Sequence, residues 1–257
     1  MELNIIQSSL LAGFLSVFPK GAREAFYKLE DSELSNPGFS FYRSVASVYS
    51  SKIEGEDIEL DSFIKHRNGI PFQSDYTRKI DDLYDAYQYA QGHTLCEAHV
   101  KTANERLSRH LLAAAWQGNY RTQNMYVTTE DGRIEYVAAP PGIVGLEMEK
   151  LYADVSMLMD GSLSLEEIFF YASMIHLVLV KIHPWNDGNG RCARLLEKWF
   201  LAEKLGEKSW FLQSERMYYN RHVEYYQNLR RLGIEYGELD FNQALPFCLM
   251  LPSCLIP

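Results

Sequence analysis

The sequence predicts an all-α fold with one small β-hairpin. Apolar residues recur at helical spacing along most of the 257 residues. One stretch, residues 164–182, is apolar on nearly every face and carries a helix-start signal. Strand-like runs appear only once, on either side of Asp131-Gly132.

The elements follow in order. Residues 10–18 are apolar, but Glu2 and no basic cluster precede them, which makes a poor signal peptide, and the run is too short to span a bilayer. A core helix is expected. Residues 22–91 have helical composition, broken at Asn36-Pro37-Gly38 and at Asn68-Gly69-Ile70-Pro71. Leu83, Tyr87 and Ala90 form a buried stripe there. Gly92 interrupts, and residues 94–115 are expected to form another helix, with Leu95, His99, Leu107, Leu111 and Leu112 inward. After Asn124 the period changes. Asp131 and Gly132 tolerate positive φ and so suit a hairpin turn, and Pro140-Pro141 stops the second strand. Ser164 and Glu167 form a capping box for a central helix ending near Ile182, where Pro184 pushes His183 out of α geometry. The next helix begins at 188–190 and runs to Lys204, with Gly206 past its end. Residues 215–233 are expected to form one further amphipathic helix.

The formal net charge of −9 argues against a general nucleic-acid or anionic-membrane binder. Cys96, Cys192, Cys248 and Cys254 lack metal-ligand spacing and are too few for a disulfide scaffold, so a cytoplasmic location is expected. Two regions packed as one unit are expected: an N-terminal helical region, 1–92, and a core with C-terminal helices, 93–257.

The chemistry concentrates in His-Pro-Trp-Asn-Asp-Gly-Asn-Gly-Arg-Cys-Ala-Arg, residues 183–194. Gly188, Asn189 and Gly190 supply unobstructed N–H groups where a helix aims its positive end, which makes an anion site suited to phosphates. Arg191 and Arg194 are three residues apart and share a helix face, and guanidinium forks suit phosphate oxygens. Leu195, Leu196, Trp199 and Phe200 anchor the helix in the core. Asp187 beside a polyphosphate is a natural Mg²⁺ ligand. His183 can take a proton from an attacking hydroxyl. Taken singly, each feature has an ordinary reading: a turn, a capping histidine, a solvated basic face. Their conjunction at one helix junction points to phosphoryl or nucleotidyl transfer. No GxxxxGK[ST] loop is present.

This stretch resembles the signature of Fic-domain proteins, His-Pro-Phe-x-(Asp/Glu)-Gly-Asn-Gly-Arg-x-x-Arg, with Trp185 where Phe is usual. The resemblance extends over residues 42–229. His176, a heptad before His183, is a frequent feature of the family, but taken by itself it reads first as a buried structural histidine. Gly118 to Arg121 resembles the element before the flap, and Glu224 to Leu229 the element near the adenine. Gly233 departs from relatives that carry an adenine-contacting Asn. The implied fold is a Fic-type helical bundle with the hairpin as a flap beside the active site. The implied activity is transfer of AMP from ATP to a Ser, Thr or Tyr hydroxyl of a target protein docked at the flap, residues 125–137. In that reading His183 is the base and Asp187 holds Mg²⁺. Gly188, Asn189 and Gly190 form the anion hole, Arg191 meets the β phosphate and Arg194 the γ phosphate. Tyr226 lines the adenine pocket.

A second resemblance lies upstream. Ser50 and Glu54 are four apart on one helical face, and Gly55 follows as a helix stop. The residues match the family's inhibitory (Ser/Thr)-x-x-x-Glu-(Gly/Asn) motif, placed N-terminal to the catalytic stretch. It implies that Glu54 pairs with Arg194 and blocks a productive γ phosphate. Removal of AMP from a modified protein, transfer of UMP, and a nucleotide-binding interaction protein without catalysis remain alternatives. A homo-oligomer is left open.

Overall fold

The computed structural model describes residues 2–70, 74–128, 132 and 134–256. Pro71 and Asp131 lie outside the described residues. Among the described residues the chain forms twelve α-helices and one two-stranded antiparallel sheet. None of these helices is long and apolar enough to cross a membrane.

The N-terminal part contains α1 (Leu11–Val17), α2 (Ala22–Tyr27), α3 (Phe41–Ile53), α4 (Leu60–Arg67) and α5 (Ser74–Gln91). Leu83, Tyr87 and Ala90 of α5 are buried, as their spacing predicts. α6 spans Glu97–Leu107, shorter than the helix expected over 94–115. Two contacts explain its end. The Ser108 hydroxyl turns back to the Asn104 carbonyl, and His110 N–H donates to Asp82 instead of continuing the helical ladder. The inward residues are Val100, Ala103 and Leu107, while His99 is only partly buried.

The hairpin comprises β1 (Tyr126–Thr128) and β2 (Ile134–Val137), with Val127 opposite Tyr136. Gly132 takes φ +82°, the positive value expected for the turn. The outer edge of β2 is occupied: Val137 N–H donates to the Ile234 carbonyl, and Arg230 to the Ile134 carbonyl.

α7 (Val144–Asp160) and α12 (Leu245–Ser253) complete the bundle around α8 (Leu165–Ile182). The Ser164–Glu167 capping box is formed. From Phe169 to Ile182 every residue of α8 is buried, and the helix packs against α9, α7, α12 and α1. Burying Phe169 and Phe170 contributes roughly 1.5–3 kcal/mol each. α9 (Asn189–Leu205) lies along α8 and reaches α3, α5 and α6. Residues 215–233 form two helices, α10 (Ser214–Asn220) and α11 (His222–Arg230), where one was expected. The break falls at Arg221 (φ −111°, ψ 35°), after Asn220, a poor helix former. Arg221 there pairs with Glu224 and bonds the Ser253 hydroxyl. One core cluster runs from Ile6 to Leu251, drawing residues from both ends of the chain.

Candidate active site

The site forms where α8 ends and α9 begins. His183 is the last cap of α8, in the left-handed region at φ 55°, ψ 59°. That geometry costs a non-glycine residue roughly 1–2 kcal/mol. Arg121 offsets it. Its buried guanidinium donates to the carbonyls of His183, Ile182, Gln123 and Ala139, and its N–H to that of Pro184. One side chain thus satisfies the orphan carbonyls of α8 and ties them to the flap.

The half-buried His183 ring lies with Nδ1 3.1 Å from the Tyr136 hydroxyl on β2. Burial and the Arg121 charge push its pKa down to about 4, against a smaller opposing pull from Glu54. The imidazole is therefore neutral at physiological pH.

The loop after His183 is pinned from within. The Asn189 amide accepts from Trp185 N–H and donates to the Trp185 carbonyl, both at 2.8 Å. Trp185 is buried and packs on Tyr120 at a ring distance of 4.9 Å. The tryptophan thus packs under the loop. Gly188 adopts φ +77°, and a Cβ there would come 2.7 Å from Leu107 Cδ1. Gly188→Ala is therefore expected to destabilise the chain by about 1–3 kcal/mol, read as a lower denaturation midpoint. A midpoint unchanged from the parent would contradict this packing account.

Asp187 is exposed, and one carboxylate oxygen accepts from Gly188 N–H at 2.6 Å. Among the described residues no group of three His, Cys, Asp or Glu side chains could hold a metal. A single carboxylate beside an anion loop suits Mg²⁺ shared with phosphates and water, and does not suit an all-protein metal centre.

Both arginines are buried rather than solvated, with 3% of Arg191 and 1% of Arg194 exposed. Arg191 reaches Glu56 at 3.4 Å, and its Nε has no hydrogen-bond partner among the described residues. Arg194 is held from two directions. On the α11 side its Nη1 lies 3.4 Å from the Tyr225 hydroxyl. On the α3 side its Nε donates to Ser50 Oγ at 2.8 Å, and its Nη2 to the Ser50 carbonyl at 3.0 Å and to Glu54 Oε1 at 2.6 Å.

The local folding of α3 explains the reach. The helix ends with a three-residue bond, Glu54 N–H to the Ser51 carbonyl, and with Gly55 at φ +87°. This leaves the Ser50 carbonyl without its usual helical donor, and Arg194 supplies one. Glu54 lies over the anion loop, so that a Cβ on Gly190 would fall 2.4 Å from its Oε1. Burial alone would raise the Glu54 pKa. Arg194 and Arg191 outweigh it and hold the carboxyl below its ordinary range.

Ser50, Glu54, Gly190, Arg191 and Arg194 thus meet at one place, with His183 and Asp187 on the same loop. Tyr226 is partly buried and packs edge-on to Tyr225 and His222. Sequence reasoning missed Tyr136, Tyr225 and Glu56. Each reaches the site from a separate element, and none stands in a chemically distinctive run. Tyr225 adjoins Tyr226, the residue the sequence singled out, and it is Tyr225 that reaches Arg194.

Residues 94–201, from before α6 into α9, match the sequence model of the Fic/DOC family. Two curated relatives are similar in sequence to this chain. Protein adenylyltransferase Fic of Nematostella vectensis is 28% identical over 141 residues, covering 55% of this chain and 27% of that protein. Protein adenylyltransferase Fic of Culex quinquefasciatus is 49% identical over 51 residues, 17% of this chain and 10% of that one. The chain thus spans about a quarter or less of the length of these relatives. The fold is similar to the crystal structure of a Fic family protein from Desulfovibrio desulfuricans G20. The TM-score is 0.73 at 18% identity, covering 99% of this chain and 74% of that one. The matched residues hold α6 to α8, the hairpin and most of α9, and α1, α3, α5, α11 and α12 pack against these elements.

Proposed function

We propose that this chain is an autoinhibited protein adenylyltransferase that transfers AMP from ATP to a hydroxyl side chain of a target protein. The observation that carries the reading is the Glu54 carboxylate on Arg194, directly over Gly190 of the anion loop. An acid from outside the loop there occupies the place of a phosphate.

In this reading the neutral His183 ring takes the proton as the target hydroxyl oxygen attacks the α phosphorus. The bond from that phosphorus to the bridging oxygen breaks, and pyrophosphate leaves. Gly188, Asn189 and Gly190 cradle the phosphates: the Asn189 and Gly190 N–H groups have no helical acceptors, and that of Gly188, bonded here to Asp187, turns to phosphate when Asp187 takes Mg²⁺. Arg191 holds the β phosphate, and its unpartnered buried Nε supports an anion there. Arg194 holds the γ phosphate once Glu54 leaves. Asp187 would hold Mg²⁺, which when bound neutralises phosphate charge. Tyr226 borders the adenine. The target lies along β1, whose residues are exposed or half-buried, on a hairpin whose other edge is already bonded.

The Glu54→Gly chain supplied with Mg²⁺ and ATP tests this. Protein label should appear from α-labelled ATP and not from γ-labelled ATP. Label from the γ position alone would replace the reading with phosphoryl transfer, and preference for UTP would change the transferred group.

The depressed His183 pKa sets a pH expectation. A base works deprotonated, so the rate falls as pH drops through its pKa in the free enzyme. The acid limb of kcat/KM should therefore lie near the value of about 4, well below the ordinary histidine value of 6.5. Glu54 pulls the pKa upward, so its removal should lower the limb further. A half-point at 6.5 in the Glu54→Gly chain would contradict this assignment.

A further inference from the structure

Arg194 has a second set of contacts, independent of α3. Its Nη1 faces Tyr225 of α11, and Tyr225 begins a buried polar chain. The Tyr225 hydroxyl lies 3.0 Å from Nε2 of His176 on α8. His176 Nδ1 lies 2.8 Å from Glu197 Oε2 on α9. The Tyr218 hydroxyl on α10 donates to that same oxygen at 2.8 Å. His176, Glu197 and Tyr218 are fully buried, and Tyr225 is 2% exposed. Phe247 closes over the His176 ring at 5.1 Å.

The direction of these bonds follows from the carboxylate. Glu197 Oε2 can only accept, so His176 Nδ1 carries the ring proton. At the other end Arg194 Nη1 can only donate, so the Tyr225 oxygen accepts from it and turns its own proton toward His176 Nε2. The chain is therefore polarised in one sense, from Arg194 toward Glu197. The second carboxylate oxygen, Oε1, has no hydrogen-bond partner among the described residues. Buried polar atoms are seldom left so, which concentrates the answer to this charge on His176 and Tyr218.

We propose that Tyr225, fixed by His176 and Glu197, is a positioning residue that keeps Arg194 aimed into the site when Glu54 withdraws. The proposal rests on reading Arg194 as the γ-phosphate arginine. The Glu54 contact is the brake and goes with it, and the Ser50 contacts follow when the last turn of α3 opens. The Tyr225 contact belongs to four core helices and stays. Release of Glu54 thus uncovers an arginine already in place.

Two measurements test the relay. Nucleotide-free crystal structures of the Ser50→Ala/Glu54→Gly and Ser50→Ala/Glu54→Gly/Tyr225→Phe chains, which lack both α3 side chains that hold Arg194, are compared first. Arg194 should keep its contact with Tyr225 in the first and turn away in the second. Calorimetric titration with Mg²⁺ and either ATP or ADP follows. A hydrogen bond to a charged group implies that Tyr225→Phe or His176→Phe, each added to Glu54→Gly, weakens ATP binding about ten-fold. ADP binding should change less than two-fold, and combining the two should cost no more than Tyr225→Phe alone, since they act in series. Arg194 in the same position in both crystals overturns the proposal. So does an equal loss of ATP and ADP with a lowered Tm, which marks a merely structural role. If Glu54→Gly binds neither nucleotide, the phosphate reading of the site fails, and the crystal pair still decides whether Tyr225 positions Arg194.

Discussion

Glu54→Gly should raise ATP-dependent AMP transfer at least ten-fold over the parent chain. The expectation comes from the strength of what is removed. A charge-assisted hydrogen bond from an almost fully buried guanidinium is worth about 1.5–3 kcal/mol, or roughly ten- to a hundred-fold in an equilibrium. The carboxylate also adds negative charge where a triphosphate must sit, so its loss acts twice in the same direction. The fold should tolerate the change. Glu54 keeps 28% of its side chain exposed, and Arg194 retains Ser50 and Tyr225. Glu54 is held ionised below the ordinary carboxylate range, so the parent should stay repressed from neutral pH into mild acid. The measurement is incorporation of α-labelled AMP into protein, by the parent and by the variant. Equal rates would remove the brake from the account.

His183→Ala should abolish transfer in the Glu54→Gly background while leaving ATP binding within about two-fold. General-base catalysis contributes roughly 10²–10⁴-fold, and the alanine leaves no side chain to accept the proton. The phosphate contacts come from other groups: the loop amides, Arg191 and Arg194. Losing the ring should also leave the end of α8 intact, because Arg121 grips the backbone carbonyl of residue 183 and not its side chain. Transfer surviving at more than a tenth of the Glu54→Gly rate would move the base to another residue. ATP binding lost together with transfer would make His183 a structural residue.

The helices that carry the site were legible in the sequence, and their reasons were local. Ser164 and Glu167 start α8, His183-Pro184 ends it, and Gly188 to Gly190 open α9. The same holds for α3, where Gly55 stops the helix one residue after Glu54. What was illegible depends on distant partners. Helical spacing carries no sign that Asp82 captures His110 and ends α6, or that residues 215–233 break at Arg221. Helical spacing put Arg191 and Arg194 on one face but gave no sign of how deeply that face is covered. Both are buried, because α3 and α11 close over the far side of α9 and supply Ser50, Glu54 and Tyr225. Tyr136 reaches His183 through the register of a hairpin, and register follows from pairing, not composition.

The end of α3 bears on how fast the proposed brake could be released. The Ser50 carbonyl and the Glu54 carboxylate both sit in the last turn of that helix, and terminal turns open at a small fraction of the global unfolding energy. Letting go of Arg194 is thus a matter of fraying a few residues at a chain end of one element. The bundle around α8 need not shift, and no domain has to rotate. Whatever competes for a single guanidinium competes only with that turn.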